Sequence, residues 1–256
     1  MRLDFSKVAT ASTPRPMTKR VFCLAGWGDL PKKQWWPSLC STLTQNGHTV
    51  ILATKPVKDR HIQQHVNNLA GLVDANGGLG PDCIFIGHSV RLPSNDCSLH
   101  AISASRPAPT KLQTQIGQAL IMRYLASRPS DVNVTICGVV AIGAWVDLPS
   151  GSQAIFGKKV IGPWLVPYTA AETERQKSLI GKMLIFIGSN DHIVGGGFGN
   201  CGPSCGLGFK PGVHEESLKK FYPWATIHIT KRGHYIVNSF KDGEIDEILK
   251  LAGPQG

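Results

Sequence analysis

The chain has 256 residues, of which 42% are apolar and 17% are charged, as is typical of one soluble globular domain with a large core. No apolar run reaches the roughly 18 residues that a membrane-spanning helix needs, which disfavours an integral membrane protein. The net charge of +10 divides into +4 on residues 1–20 and +6 spread over the remainder without a basic block. This distribution favours a solvated basic surface over a nucleic-acid-binding face.

Residues 1–19 are predicted to form a flexible basic tail, followed by a single domain over residues 20–252. The tail lacks the apolar segment of a secretory signal, although its Ser, Thr and Arg content leaves import into an organelle open. The seven cysteines are an odd number, and three of them lie in apolar, strand-like runs, which is typical of reduced thiols in a cytosolic protein. We therefore expect a cytoplasmic location.

Apolar runs bounded by Gly, Pro or Asn predict strands, and apolar residues at helical spacing predict helices between them. The predicted strands cover residues 20–25, 48–53, 81–89, 136–144, 182–188 and 225–230. The predicted helices cover residues 33–45, 61–75, 116–127, 172–179, 215–221 and 244–251. Their alternation indicates an α/β fold, a three-layer sandwich with a doubly wound, mainly parallel central sheet. Trp35 and Trp36 are expected to pack in the core or against a lid rather than to contact a ligand, and residues 148–169 are expected to cover a pocket.

The predicted strand that ends at Ser89 carries the clearest chemical signal. Within G-H-S, Gly87 stands two positions before the serine, where a nucleophile on a sharp strand-to-helix turn requires a small residue. A small residue is also needed two positions after the serine, but Arg91 stands there. The sequence I-G-Q-A-L-I-M-R-Y-L begins later, at Ile116. Joining Ile116 directly to Ser89 would put Gly117 in the required position and complete a nucleophile elbow with its helix.

Residues 90–115 interrupt this motif and are rich in Ser, Pro and Thr, with no periodic apolar pattern. Every valine codon begins with GT and one glutamine codon ends with AG, so Val90 and Gln115 are compatible with the ends of a translated in-frame intron. The alternative is a genuine surface insertion, which loops often tolerate. An insertion here is expected to separate the nucleophile from the helix that positions it. The Gly-rich residues 195–210 are a second candidate intrusion, with weaker codon support.

Three predicted strand ends carry Ser89, Asp191 and His234, in the chain order of nucleophile, acid and base that accompanies a nucleophile elbow. A serine hydroxyl attacks a carbonyl at neutral pH only when an imidazole takes its proton. The imidazole in turn needs a carboxylate that fixes its tautomer and stabilises its charged form. We therefore expect these three residues to form a catalytic triad.

Other residues compete for the acid and base roles. Asp147 is the alternative acid. His192, His214 and His228 are less favoured than His234 as the base, because His192 adjoins the predicted acid and His228 should lie inside a strand.

Negative charge that develops on a substrate oxygen needs two backbone N–H donors. The N–H of Ile116 follows the serine once the elbow is joined, and a second donor is expected near Trp27. Trp27 lies between Gly26 and Gly28 at the end of the first predicted strand, where glycines let the backbone approach a ligand closely. Trp27 and Ile116 are therefore the predicted oxyanion-hole residues.

These residues belong to a wider set of motifs. They are G-W-G at Gly26, Q-W-W-P-S-L at Gln34, G-H-S with I-G-Q-A-L-I-M-R-Y-L, G-V-V-A-I-G-A-W at Gly138, S-N-D-H-I-V at Ser189, and G-H at Gly233. In this combination the chain resembles the small serine hydrolases of the retinoblastoma-binding protein 9 family, within the α/β-hydrolase superfamily. The resemblance covers most of residues 20–252.

The resemblance implies an α/β-hydrolase fold with little cap, Ser89, Asp191 and His234 as catalytic residues, and no cofactor. It implies small-molecule or short-peptide substrates with ester, thioester or amide bonds, and it is compatible with aminopeptidase-type activity. Neither nucleic acid nor a membrane is an expected partner. The chain departs from the family in its two interruptions. It also lacks an L-x-C-x-E motif, so a retinoblastoma-type partner is not expected.

Two alternatives stay open. The interrupted elbow also fits a hydrolase-fold protein without activity, either a binding module or the inactive product of a wrong gene model. Cys201 and Cys205 suggest a metalloenzyme, but their C-x3-C spacing has no second pair, so a metal is not expected.

Overall fold

The computed structural model describes residues 18–24, 35–53, 61–88, 117–146, 164, 166–189, 211–231, 240 and 242–253. The strands in these segments are β1 (Arg20–Leu24), β2 (Thr49–Leu52), β3 (Cys83–His88), β4 (Gly138–Ile142), β5 (Met183–Gly188) and β6 (Thr226–Thr230). The helices are α1 (Trp36–Gln45), α2 (Ile62–Ala75), α3 (Gly117–Ala126), α4 (Ala170–Leu179), α5 (Pro211–Phe221) and α6 (Asp242–Ala252). Each predicted strand and helix is present, so the predicted alternation is confirmed.

The strands form one parallel sheet in the order β2-β1-β3-β4-β5-β6. Starting from β1, the chain therefore adds β2 on one side and then adds β3 to β6 in turn on the other side. Because parallel crossovers are right-handed, connections that run in opposite directions cover opposite faces of the sheet. A topological switch point consequently lies at the carboxyl ends of β1 and β3, which is where open α/β sheets place their ligands.

Apolar clusters cover both faces of the sheet, which is why its strands are apolar along their whole length. In β3, Cys83 and Phe85 face the cluster that contains residues of α2, α3, α4 and α5. Ile84 and Ile86 face the cluster that contains residues of α1 and α6. Each fully buried aliphatic or aromatic side chain contributes roughly 1.5 to 3 kcal/mol of transfer free energy. The two clusters therefore hold the central strands, and the ends of those strands, in fixed positions.

Two helices begin earlier than their apolar pattern predicts. α4 begins at Ala170, two residues early, because Thr169 caps it. α5 begins at Pro211, four residues early. Proline suits the first turn of a helix because its fixed φ fits there and its missing N–H has no partner to lose. None of the helices in the described segments combines the length and the apolar character needed to cross a membrane.

An ion pair joins β1 to the turn before β3 at the amino edge of the sheet. The guanidinium of Arg20 donates to both carboxylate oxygens of Asp82, over 2.5 and 2.7 Å. It also donates to the carbonyl oxygens of Gly78, over 2.8 Å, and Asn76. This pair fixes the relative position of β1 and β3 from the end opposite the switch point.

Candidate functional site

The predicted catalytic and oxyanion residues Trp27, Ser89, Ile116, Asp191 and His234 lie outside the described residues. The strands that precede four of them are described. Trp27 follows β1 by three residues, Ser89 follows β3 directly, Asp191 follows β5 by three residues and His234 follows β6 by four. Because the sheet is parallel, these strands all end at its carboxyl edge. The alternative residues Asp147 and His192, and the side chain of His214, also lie outside the described part of the chain.

The first residue of α3 lies directly against the ends of β1 and β3. A Cβ atom built on Gly117 would be 2.9 Å from the carbonyl oxygen of His88 and 3.0 Å from its nitrogen, and it would also meet the carbonyl oxygen of Leu24. Three backbone segments thus converge at the switch point. The expectation that residues 90–115 separate the elbow helix from its strand is wrong for the described residues, because α3 begins in contact with the last residue of β3.

Gly87 makes the matching close approach from the strand. A Cβ atom on Gly87 would lie 2.6 Å from the nitrogen of Gln118, 2.7 Å from the carbonyl carbon of Gly117 and 2.7 Å from the side chain of Ile121. Real Cβ atoms do not approach a backbone this closely, so a side chain at Gly87 or Gly117 would push α3 away from β3. The two glycines that the motif singles out are therefore the two positions where helix and strand backbones touch.

His88 and His228 have structural surroundings that differ from those of a catalytic base. His88 is fully buried, and its ring meets the ring of Trp35 edge to face at 5.4 Å. Trp35 and Trp36 are themselves 0% and 1% exposed, so the prediction that they serve packing is confirmed, and they pack in the core. His228 lies inside β6, as predicted, and its ring stacks on Phe186 at 4.9 Å.

Gln118 is a buried polar residue beside the elbow that the sequence motifs do not single out. It is the second residue of α3 and is 1% exposed. Its side-chain nitrogen donates to the hydroxyl of Tyr222 over 3.5 Å. Its side-chain oxygen is buried and has no hydrogen-bond partner among the residues that the structure describes. The sequence signal that could have identified Gln118 is its position as a polar residue directly before the apolar run A-L-I-M.

The hydroxyl of Tyr222 is held in its neutral form. Tyr222 is 2% exposed, and its burial raises the pKa of the phenol well above its ordinary value. Its ring packs edge to face on Trp224 at 5.7 Å, which fixes the ring in the core between α3 and α5. A protonated hydroxyl held in this way pairs with the Gln118 amide at every physiological pH.

Trp145 is a second buried polar group at the carboxyl edge. It lies three residues beyond β4, the neighbour of β3 in the sheet, and is 3% exposed. Its indole N–H is buried and, like the Gln118 oxygen, lacks a hydrogen-bond partner within the described segments. Trp145 belongs to the same apolar cluster as the residues of α3. A buried donor and a buried acceptor thus occupy the same face and the same edge of the sheet.

The described part of the chain contains no group of three or more His, Cys, Asp or Glu side chains arranged to hold a metal ion. The four described cysteines are free thiols, namely Cys23, Cys40, Cys83 and Cys137. The alternative metal ligands Cys201 and Cys205 lie outside the described residues.

No protein-family model matches the sequence, and a search of curated proteins finds no match. Solved structures do match the fold. The chain superposes on the ydeN gene product of B. subtilis with a TM-score of 0.63 at 12% identity, covering 93% of this chain and 100% of that one. It superposes on an esterase of Pyrococcus furiosus with a TM-score of 0.52 at 14% identity, covering 91% and 80% of the two chains.

A third match is to the mouse α/β-hydrolase domain-containing protein 10, with a TM-score of 0.51 at 12% identity and coverage of 92% and 88%. Together with the parallel sheet and its order, these matches show that the chain has the α/β-hydrolase fold. The fold class predicted from the sequence is therefore confirmed.

Proposed function

We propose that this protein is a serine hydrolase that cleaves small ester, thioester or peptide-like amide substrates through an acyl-enzyme formed on Ser89. The observation that supports it most directly is the contact of Leu24, His88 and Gly117 at the switch point. That contact brings the end of β1, the end of β3 and the start of α3 together. A nucleophile on Ser89 with backbone N–H donors at Trp27 and Ile116 requires this proximity of the three elements.

In the proposed reaction, His234 removes the proton from the Ser89 hydroxyl while the serine oxygen forms a bond to the substrate carbonyl carbon. Asp191 fixes the tautomer of the imidazole and stabilises its charged form. The N–H groups of Trp27 and Ile116 donate to the carbonyl oxygen as it gains charge. The leaving group departs with the proton from His234. A water molecule then enters and gives a proton to His234 while its oxygen bonds to the acyl carbon. The bond from that carbon to the serine oxygen breaks as His234 returns the proton to Ser89, which releases the acid product and restores the enzyme.

Two further observations support this assignment. The strands that precede Ser89, Asp191 and His234 end at one edge of the sheet, so the three side chains can converge without rearrangement of the core. The motifs also resemble those of the retinoblastoma-binding protein 9 family of serine hydrolases, although that family is only one branch of the fold. The Pyrococcus furiosus match is an esterase, which fits the same class of reaction.

Residues 90–115 are proposed to be dispensable. Removing them leaves Ser89 and Ile116 as the only residues between His88 and Gly117. Adding one bond of about 1.5 Å to the 2.9 Å contact puts the Cα of Gly117 within roughly 4.5 Å of the His88 carbonyl oxygen. Two residues in a tight turn span such a gap easily, since the ends of a four-residue turn lie less than about 7 Å apart.

A fluorophosphonate probe tests the proposal, because it reacts with a serine only when a base and an oxyanion hole activate it. The full chain and a shortened chain without residues 90–115 are compared, each with and without Ser89→Ala. We expect the shortened chain to label strongly, the full chain to label more slowly, and both Ser89→Ala forms to stay unlabelled. A folded shortened chain that remains unlabelled would refute the proposal and favour a binding protein without activity.

A further inference from the structure

Two cysteines meet where α1 packs on β1. Cys23 is the fourth residue of β1 and is 1% exposed, whereas Cys40 in α1 is only partly buried. Cys23 belongs to the apolar cluster that contains residues of α1 and α6, and Cys40 packs against the same cluster. Their side chains are hydrogen-bonded to each other. Two cysteines can be bridged only where their side chains point towards each other, and this pair meets that condition.

The spacing of residues in α1 explains why Cys40 faces the sheet. The buried residues of α1 are Trp36, Leu39 and Leu43. Cys40 comes four positions after Trp36 and three before Leu43, which is the spacing of neighbours on one helical face. Cys40 therefore lies at the margin of the buried face, with its thiol against Cys23 and part of its surface in solvent.

The hydrogen bond gives the two thiols different chemistry. The S–H of Cys23 donates to the sulfur of Cys40, which stabilises the Cys40 thiolate and lowers its pKa. The same hydrogen bond, together with burial, raises the pKa of the Cys23 thiol well above its ordinary value. A cysteine is attacked by an oxidant when it is a thiolate and the oxidant can reach it. Cys40 therefore reacts first, and Cys23 stays protonated beside it.

We propose that Cys40 and Cys23 form a redox-sensitive pair, in which a hydroperoxide oxidises Cys40 and Cys23 then closes an intramolecular disulfide. In the first step the Cys40 thiolate bonds to the terminal peroxide oxygen and the O–O bond breaks. Cys40 becomes a sulfenic acid, and the other oxygen takes up a proton and leaves as water or an alcohol.

In the second step the Cys23 sulfur bonds to the Cys40 sulfur and the S–O bond breaks. The hydroxide that leaves takes the proton of Cys23 and becomes water. The two thiols together supply the two electrons that reduce the peroxide. A dithiol reductant attacks the disulfide and restores both thiols, so the modification is reversible.

Peptide mapping after oxidation tests the proposal. The full chain is treated with hydrogen peroxide, its remaining thiols are alkylated, and it is digested with trypsin without reduction. Trypsin releases Cys23 in residues 21–32 and Cys40 in residues 34–58, and each of these peptides contains a single cysteine. We expect the two peptides to be joined, with a mass that lacks two hydrogen atoms, and dithiothreitol to separate them.

Three variants separate the roles of the two thiols from each other and from the proposed hydrolase activity. Cys23→Ala should stop Cys40 at the sulfenic acid, which dimedone captures on residues 34–58. Cys40→Ser should leave Cys23 unmodified, because its thiol is buried and keeps its proton. Ser89→Ala should form the disulfide as the unaltered chain does, since the reaction does not use the proposed nucleophile. Circular dichroism checks that each variant is folded.

Cys83 and Cys137 offer the control within the same chain. Ile84 pairs with Gly138, so the residues before them, Cys83 and Cys137, lie on neighbouring segments. Cys83 belongs to the cluster that contains residues of α3, however, whereas Cys137 packs against the cluster on the other face of the sheet. Burial raises the pKa of both thiols. We expect peroxide to consume Cys40 at least about tenfold faster than either of them.

The outcomes decide the proposal whether or not the protein is a serine hydrolase. A reversible link between residues 21–32 and 34–58, in the unaltered chain and in Ser89→Ala, supports it. The proposal is overturned if peroxide leaves Cys40 a thiol or oxidises it without joining it to Cys23. It is also overturned if Cys83 and Cys137 are joined as rapidly. If Cys23→Ala does not fold, the map of the unaltered chain still decides between these results.

Discussion

At the scale of single residues, the contact between α3 and β3 depends on the absence of a side chain at Gly117. A Cβ atom there would meet backbone atoms of Leu24 and His88, which cannot rotate out of the way as a side chain can. We expect Gly117→Ala to lower the free energy of unfolding by about 1 to 3 kcal/mol, the usual effect of overpacking, and to reduce fluorophosphonate labelling. Urea denaturation and the labelling rate measure the two effects.

Gly71 provides the control for this substitution. It lies in the interior of α2, and a Cβ atom there would have nothing within 4 Å. Gly71→Ala should raise the free energy of unfolding by about 0.5 to 1 kcal/mol, because alanine loses less backbone entropy than glycine in a helix. Equal effects at Gly71 and Gly117 would contradict the view that close backbone approach is what requires Gly117.

The ion pair of Arg20 and Asp82 gives the stability a defined dependence on pH. The hydrogen bonds from Arg20 lower the pKa of the Asp82 carboxyl below its ordinary value. A carboxyl with a depressed pKa in the folded state stabilises the fold above its unfolded pKa of about 3.9, and this contribution is lost as pH falls through the folded pKa. We expect Asp82→Asn to lower the free energy of unfolding by about 1 to 3 kcal/mol at pH 7.

Urea denaturation at pH 7 and at pH 3 checks this dependence, since the difference between Asp82→Asn and the unaltered chain should shrink at pH 3. Glu247→Gln is the control, because the pair of Glu247 and Lys250 joins neighbouring turns of an exposed helix face and should change the denaturation midpoint little. If the difference in free energy of unfolding between Asp82→Asn and the unaltered chain grows on acidification, the ion pair does not stabilise the fold.

The candidate site could be predicted from the sequence where a residue type is required by the backbone. Gly87 and Gly117 follow from the motif alone, because a strand that turns sharply into a helix has no room for a side chain at either place. Gln118 and Tyr222 are 104 residues apart, and their contact depends on how α5 packs against α3. No local pattern carries that information, so the polar pair could be recognised only in the structure.

At the scale of elements, the start of α4 is fixed by a capping box. The hydroxyl of Thr169 accepts from the N–H of Glu172 over 3.2 Å, and the Glu172 carboxylate accepts from the N–H of Thr169 over 2.7 Å. We expect Thr169→Ala to lower the free energy of unfolding by about 1 kcal/mol, as measured by urea denaturation, because the N–H of Glu172 in the first turn loses its acceptor.

Thr173 is the matched control on the same helix. Its hydroxyl donates to the carbonyl oxygen of Thr169 over 3.1 Å, a bond that adds little in a helix whose backbone carbonyls are already paired. Thr173→Ala should be neutral or slightly stabilising, since alanine has the higher helix propensity. If Thr173→Ala lowers the free energy of unfolding as much as Thr169→Ala does, the capping role of Thr169 is contradicted.

The strands and helices were predictable because their patterns differ. The central strands read as continuous apolar runs, and α2 reads as apolar residues at helical spacing. The boundaries were less predictable where a cap or a proline, rather than an apolar residue, begins the helix. Thr169 and Pro211 both carry recognised start signals, yet the apolar pattern alone places each helix two to four residues late.

At the scale of the whole molecule, the order of the strands determines where chemistry can occur. The sequence shows that strands and helices alternate, but it does not show that β3 returns past β2 to pair with β1. That return creates the switch point where β1, β3 and α3 meet. The predicted nucleophile Ser89 and the predicted oxyanion donor Trp27 follow, in the sequence, the two strands that end there.

The contact at the switch point explains how a chain with 28 residues between β3 and α3 can retain the hydrolase architecture. His88 and Gly117, the described residues on either side, are in contact, and residues of both β3 and α3 are buried in the same core. The entropic cost of closing a loop rises only slowly with the number of residues in it, and the packing of α3 offsets this cost. Deleting residues 90–115 should consequently leave the denaturation midpoint of the fold unchanged or higher.

The most direct test of the account is a peptide mass map of the full chain after reaction with fluorophosphonate. Trypsin releases Ser89 within residues 61–91, because no Lys or Arg lies between Arg60 and Arg91. The account predicts one adduct per chain, carried by this peptide and located on Ser89. An adduct on any other residue, or on this peptide in the Ser89→Ala variant, would contradict it.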